Sequence, residues 1–156
     1  MDFGIKKLLA IRTSMGEDKI IGSKRHFKQW LFWTNLISNE QKKLAKINRR
    51  TSKNLQRLFS KRNKWQNNLY NNLVAKMFRF LKRNNISHLS IVDITNIRED
   101  NNWVKNGNKM LHNYWAFDKL LQKVINKSEE FGITKDHPTE EYSSGTCPIC
   151  FDYDGR

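Results

Sequence analysis

The feature that most constrains this chain is a long run of positive charge between Gln41 and Asn84. These residues include fourteen Lys and Arg and no Asp or Glu, and the next acid after Glu40 is Asp93. Helix surfaces in water usually mix the two signs, because unlike charges one turn apart stabilise a helix. A one-sign helix surface is costly by itself but favourable beside phosphates. The run therefore predicts helices that face a polyanion, and an ordinary solvated helix surface is the alternative.

Apolar residues recur at three- and four-residue steps through this region, which predicts two long helices. We expect one helix over residues 26–50 and another over 52–83, with Thr51 and Ser52 as the N-cap of the second. The predicted apolar stripes are Trp30, Trp33, Leu36, Ile37, Leu44 and Ile47 in the first helix, and Leu55, Leu58, Phe59, Trp65, Leu69, Leu73, Val74, Met77 and Leu81 in the second. Two successive helices predict a helical hairpin inserted in an α/β fold. Tryptophans at helical spacing are more typical of a core than of base stacking.

Two short apolar runs carry one acid each and predict buried strands. Residues 3–12 form the first run and follow Asp2, and residues 86–94 form the second run and contain Asp93. Gly4 has no side chain, which either leaves room for an approaching ligand or allows a bulge in the strand. If the strands are neighbours, Asp2 and Asp93 make a carboxylate pair of the kind that holds metal ions for phosphodiester hydrolysis. Unpaired acids at strand ends are the alternative that the residues leave open.

The remaining segments predict a hairpin turn, a helix and a short strand. The turn is expected at residues 16–19 and the helix over 112–131, with Gly132 as its C-cap. A short strand and turn are expected over 134–142. His112, at the start of the helix, is interpreted as a capping or packing residue.

Charge and length narrow the class of protein. The chain has 156 residues, which is room for one domain and a small appendage, and its 29 Lys and Arg against 15 Asp and Glu give a net charge of +14. A domain this basic is typical of proteins that bind nucleic acid. A membrane surface is disfavoured, because the sequence has no terminal amphipathic helix, no signal peptide and no apolar run of about 18 residues. We predict a cytoplasmic protein.

The two cysteines, Cys147 and Cys150, form a single Cys-x-x-Cys pair. Such a pair supplies two thiolates of a tetrahedral zinc site, which needs four ligands, and His137 is the nearby candidate for a third. A redox pair in a reducing compartment is the alternative. We therefore expect half a zinc site and weak zinc binding.

Several segments, taken in order, resemble the OrfB/TnpB family of transposon-encoded proteins, which are RNA-guided DNA nucleases related to type V CRISPR effectors. Residues 2–8 (DFGIKKL) resemble the first RuvC segment of that family, Asp-x-Gly-Ile-x-x-Leu, and residues 91–99 (IVDITNIRE) resemble the second. The basic hairpin resembles the Lys/Arg-rich insertion between the two segments. Residues 108–112 resemble the helix that follows, and residues 141–150 (EYSSGTCPIC) resemble the start of the zinc ribbon, Tyr-Thr-Ser-x-Thr-Cys-x-x-Cys.

The resemblance implies an RNase H-like (RuvC) mixed sheet with flanking helices. The implied domains are residues 1–141, a partial RuvC/RNase H-like domain with the basic helical hairpin inserted at 26–84, and residues 142–156, the start of a truncated zinc-ribbon domain. DNA and guide RNA are the implied partners. In such proteins the guide pairs with the target, and the protein binds the heteroduplex through its backbone.

The resemblance also assigns roles to residues. Asp2 and Asp93 would be the catalytic acids, with Glu99 as a possible substitute for Asp93 and Mg²⁺ as the cofactor of any nuclease activity. Cys147 and Cys150 would hold zinc at a half site. The residues implied to bind nucleic acid are Lys42, Lys43, Lys46, Arg49, Arg50, Lys53, Arg57, Lys61, Arg62 and Lys64.

The chain departs from the family pattern in three ways. Relatives often carry Glu-Asp where this chain has Val92 and Asp93; neither a second Cys pair nor a third acidic segment follows Cys150; and no wedge region precedes Asp2. We therefore expect a remnant of a transposon nuclease, truncated at both ends, that binds nucleic acid without cutting it. A non-catalytic RNA- or DNA-binding regulatory module built on the hairpin is the second hypothesis. A product that never folds stably is the third.

Overall fold

A computed structural model describes residues 1–4, 7–92 and 117–138, and within them it contains five strands and three helices. In chain order these are β1 (Asp2–Phe3), β2 (Leu9–Arg12), β3 (Asp18–Ile21), α1 (Lys24–Lys46), α2 (Lys53–Arg83), β4 (His88–Ser90), α3 (Phe117–Glu130) and β5 (Thr134–Asp136). The predicted mixed α/β class is confirmed. The predictions for Asp93, Glu99, His112, Cys147 and Cys150 lie outside the described residues. None of the described helices is long and apolar enough to cross a membrane.

The strands form two sheets, one of three strands in the order β1-β2-β3 and one made of β4 and β5. β1, β2 and β3 form an antiparallel group, and β4 and β5 form a parallel pair. The two groups meet at Met1, whose amino nitrogen donates to the Ser90 carbonyl oxygen at 2.6 Å. The Met1 carbonyl oxygen in turn accepts a hydrogen bond from the Val92 backbone nitrogen at 3.1 Å. These two bonds place β1 next to β4, although the two strands are far apart in the sequence.

The prediction of one strand over residues 3–12 is wrong, because the chain reverses within it. Phe3 pairs with Leu9, so that β1 and β2 are the two arms of a tight hairpin. A Cβ added to Gly4 would lie 2.6 Å from the Lys7 carbonyl oxygen. Gly4 therefore makes room for the backbone of its own turn, and neither a ligand nor a bulge in a continuous strand is needed to explain it.

α1 and α2 form the predicted helical hairpin. The hydroxyl oxygen of Ser52 accepts from the Leu55 backbone nitrogen at 3.0 Å, which confirms the predicted N-cap of α2. The same hydroxyl donates to the Glu40 carboxylate at 3.2 Å and so ties the start of α2 to α1. α1 ends at Lys46, earlier than predicted, and Asn48 adopts a φ of +52° in the turn. A left-handed residue cannot continue the helix.

The main core fills the space between the strands, the C-terminal part of α2 and α3. Its fully buried side chains include Leu8, Leu9, Met77, Leu81, Ile91, Leu120 and Val124. Most of the predicted α2 stripe is confirmed, but it lacked Tyr70 and Phe78, which are 1% and 2% exposed. Trp30 is also buried in this core, as its helical spacing predicted.

A second, smaller apolar cluster holds the outer part of the helical hairpin. Ile37, Leu44 and Leu55 are its buried members, with Leu58 and Phe59 packed against them. This outer cluster is separate from the main core. The hairpin therefore consists of an inner part anchored in the main core and an outer part that rests on three buried side chains.

Two members of the predicted α1 stripe are exposed. Leu36 and Ile47 have exposed fractions of 36% and 60%, so their assignment to the core is wrong. Ile47 follows the last residue of α1, where the helical repeat no longer applies.

The end of α3 follows the prediction. Gly132 has a φ of +65°, and Ile133 donates its backbone N–H to the Ser128 carbonyl oxygen at 2.9 Å, so that Gly132 closes the helix as expected. β5 follows directly and covers Thr134–Asp136 of the predicted strand. β4 is likewise shorter than its predicted range.

Candidate functional site

Asp2 lies in β1, where it pairs with Ala10 of β2, and its side chain is exposed. One carboxylate oxygen accepts a hydrogen bond from the Phe3 backbone nitrogen at 2.6 Å. The residue borders an open depression of about 360 Å³, whose other lining residues include Arg12, Asp18 and Val92. The predicted catalytic acid is thus accessible at the edge strand of the three-stranded sheet.

The second predicted acid, Asp93, directly follows the last described residue after β4. Val92, which precedes Asp93 in the sequence, bonds to Met1, which precedes Asp2. Asp93 and its possible substitute Glu99 lie outside the described residues, so the proximity of the pair stays a prediction.

A further acid, Asp136, lies at the end of β5, where it pairs with Ser90 of β4. Hydrogen bonding from the Ser90 hydroxyl and the nearby His88 ring hold the pKa of Asp136 below its usual value. The His88 Nε2 atom is 3.2 Å from the carboxylate. Burial lowers the pKa of the Met1 amino group, and the nearby carboxylates of Asp2 and Asp136 oppose that shift. Sequence reasoning missed Asp136, because the predicted strand and turn ran over 134–142, whereas β5 ends at Asp136.

The described residues do not by themselves fit a metal site. Among residues 1–4, 7–92 and 117–138, no three carboxylates, imidazoles or thiols come together as a possible ligand set. In the described part of the chain, Asp2 and Asp136 lie near Met1, and His137, the predicted third zinc ligand, is exposed on the segment after β5. The metal ligation expected of Asp93, Cys147 and Cys150 falls on residues that are not described.

The ten predicted nucleic-acid-binding residues lie together on the outer part of the hairpin. We call these ten the hairpin cations; they are Lys42, Lys43, Lys46, Arg49, Arg50, Lys53, Arg57, Lys61, Arg62 and Lys64. All of them are exposed except Arg62, which is half-buried, with its guanidinium carbon 5.2 Å from the centre of the Phe59 ring. In the described part of the chain none of the ten forms an ion pair.

The electrostatics of this surface are one-sided. α2 contains no acid, and Glu40 is the one carboxylate of α1. Glu40 accepts the Ser52 hydroxyl hydrogen bond, so its position is set by the α2 cap. Along α2, Lys53, Arg57 and Lys61 follow at four-residue steps, which places a cation about every 6 Å along one face. A duplex carries one negative charge per about 1.7 Å of axis, so every cation of such a row has a phosphate within reach.

Comparison of the sequence with models of known families identifies the family of this chain. The sequence matches the model of the OrfB_IS605 family, described as a probable transposase, over residues 1–98. The chain belongs to the OrfB_IS605 transposase family. The matched range includes Asp2, Asp93 and all ten hairpin cations, whereas Glu99, Cys147 and Cys150 lie beyond it. The resemblance expected from the sequence motifs is confirmed.

The fold of this OrfB_IS605 chain is also found in a solved structure. It is similar to a chain in the cryo-EM structure of the Cas12f1-sgRNA-target DNA complex, with a TM-score of 0.66 and 15% sequence identity. The similarity covers 98% of this chain and 38% of the other, so the OrfB_IS605 chain spans little more than a third of that protein. At this identity the likeness concerns the fold. No curated protein matches the sequence.

Proposed function

We propose that this chain binds nucleic acid, DNA and guide RNA, through the hairpin cations. The single observation that carries the proposal is the uniformly positive surface of the hairpin. The ten hairpin cations lie on two helices that contain one carboxylate, Glu40, and this carboxylate accepts a hydrogen bond from Ser52. Like charges at this density repel one another, and a polyanion relieves the repulsion. Membership in a transposase family makes nucleic acid the natural polyanion.

The mode of binding follows from the chemistry of the surface. Lysine and arginine side chains on an exposed helix face neutralise phosphates and release counterions, which gives affinity with little dependence on sequence. The Cas12f1 structure is a complex with sgRNA and target DNA, and that composition supports the same two partners here. Base pairing with a guide would then supply the sequence recognition, and the hairpin would hold the backbone.

The finer assignment of the fold is a partial RuvC/RNase H-like domain. It is supported by an antiparallel sheet, β1-β2-β3, that two backbone hydrogen bonds of Met1 join to the parallel pair of β4 and β5, with helices packed alongside. In that assignment Asp2 and Asp93 are the nuclease acids, and Mg²⁺ is the cofactor that would supply Lewis-acid chemistry there. Residues 142–156 remain a predicted start of a zinc ribbon.

The proposal is tested by removing charge from the hairpin. For single-stranded RNA, the slope of log K against log salt concentration is about −0.7 for each neutralised phosphate. The double variant Arg57→Gln/Lys61→Gln should therefore have a slope less steep by about 1.4. The matched control is Lys119→Gln/Lys127→Gln on α3, which removes the same charge from a helix that contains acids; Lys127 itself lies 2.6 Å from a Glu130 carboxylate oxygen. Fluorescence anisotropy across a salt series measures both. Equal slopes for the two variants would refute a hairpin site.

The second candidate function is binding without cleavage, as a regulatory module. The hairpin favours it, because binding through lysines and arginines requires no metal. We expect the purified chain to bind a DNA duplex in Mg²⁺ and leave it intact. Cleavage that depends on Mg²⁺ and disappears in Asp2→Ala would establish the nuclease instead.

A further inference from the structure

A second basic feature lies at the other end of α2 from the hairpin cations. It is a groove of about 520 Å³ between β3 and the last turns of α2. Lys19 forms one wall, and Lys76, Arg79 and Arg83 form the other. In the described residues none of these four cations takes part in an ion pair. The Arg79 Nε atom donates to the Ala75 carbonyl oxygen at 3.3 Å, which leaves the rest of its guanidinium free to bind an anion.

The floor of this groove is apolar. Ile21, which is 4% exposed, and Phe80, which is partly buried, line it from β3 and α2. Gly22 completes the floor without a side chain. Its φ of +103° and its approach to Leu8, which a Cβ would meet at 2.7 Å, keep this position a glycine.

The combination of cations and an apolar floor selects among polyanions. A duplex presents its phosphates outward and keeps its base faces stacked inside, so it can use the cations but not the floor. A single strand offers phosphates together with exposed base faces, which stack favourably on aromatic and apolar side chains. The concave shape also suits one strand better than a cylinder of two.

We infer that the groove between β3 and α2 is a binding site for single-stranded nucleic acid, separate from the hairpin cations. This inference rests on the proposed nucleic-acid function and adds a second site with a different specificity. Lys61 and Lys76 are fifteen residues apart on α2, which is about 22 Å along the helix axis. The same rigid helix thus carries a backbone-binding surface at one end and a single-strand groove at the other.

The test uses two lysines of the same helix. Lys76 and Lys82 are both exposed on α2 and both lack an ion pair among the described residues, but Lys76 lines the groove and Lys82 does not. With a labelled oligouridylate of about six nucleotides, Lys76→Gln should weaken binding about three- to tenfold and reduce the salt slope by about 0.7. Lys82→Gln should leave both nearly unchanged. Equal effects of the two substitutions would overturn the inference, since binding would then follow net charge alone.

A second measurement tests the apolar floor. Phe80→Leu keeps the packing against the core and removes the aromatic face. We expect it to weaken binding of the oligouridylate while leaving binding of an abasic strand of the same length unchanged. Equal weakening of both probes would show that no base contacts the floor, and would refute the single-strand specificity.

The outcomes separate the two proposals. If Arg57→Gln/Lys61→Gln behaves like its control but Lys76→Gln remains distinct from Lys82→Gln, the hairpin proposal fails and the groove stands. If the hairpin variant loses binding and the two α2 lysines behave alike, the groove fails and the hairpin stands.

Discussion

The outer part of the hairpin should open independently of the main core, and Leu44→Ala tests this. Leu44 is 6% exposed in the cluster with Ile37 and Leu55, which is separate from the main core. Replacing a buried leucine with alanine costs about 2–5 kcal/mol, and a cluster of three side chains near the end of a hairpin can relax, which favours the lower half of that range. A loss of about 2–3 kcal/mol corresponds to an opening equilibrium about 30- to 150-fold more favourable.

Native-state hydrogen exchange measures this opening segment by segment. Amides around Ile37, Leu44 and Leu55 should exchange faster in Leu44→Ala by about the factor given above, and those around Leu73 and Met77 should keep their rates. Added salt should slow the outer exchange in both proteins, because screening weakens the repulsion among the hairpin cations. Equal acceleration in both segments would refute the reasoning, since the hairpin would then unfold only with the main core.

Three further changes are expected to have measurable effects. Ser52→Ala removes the N-cap of α2 and should lower the free energy of unfolding by about 1 kcal/mol in a urea titration; an unchanged midpoint would contradict the cap. Gly22→Ala places a Cβ 2.7 Å from Leu8 at a φ of +103° and should lower the melting temperature more than Gly16→Ala, where the space is open and strain at a φ of +86° acts alone; equal losses would contradict this. Burial, with Lys76 and Arg25 nearby, lowers the pKa of His26 below its usual 6.5, so stability should be full above that pH and fall as the pH drops; His26→Gln should flatten the fall in thermal melts, and parallel curves would refute it.

The helical hairpin was predictable because its signals are local. The apolar repeat, the Ser52 cap and the absence of acids all act within a few residues of each other, and α2 begins within one residue of its predicted start. The hairpin of β1 and β2 was not predictable in the same way. Residues 3–12 have the composition of one strand, and the reversal depends on the pairing of Phe3 with Leu9.

The candidate sites also differ in whether they depend on local sequence signals or on residues far apart in the chain. The hairpin cations were found because charge in the sequence becomes charge on an exposed helix. Asp136 and the groove were missed because they depend on long-range neighbours: Asp136 on the pairing of β5 with β4, and the groove on the approach of Lys19 to α2. A run of charged residues or a periodic apolar pattern does not reveal which distant segments pack together.

The bonds of Met1 to β4 also have a consequence for the order of folding. The Met1 and Ser90 backbones meet across a sequence separation of 89 residues, and α1 and α2 lie between them. Closing so long a flexible loop is slow and entropically costly, whereas a helical hairpin forms from contacts close in sequence. Once the hairpin is folded, the free length to be closed falls to about a third, which lowers the closure cost by about 1 kcal/mol. We therefore expect the inserted helices to form first and to bring β4 close to β1, so that the bonds of Met1 form afterwards.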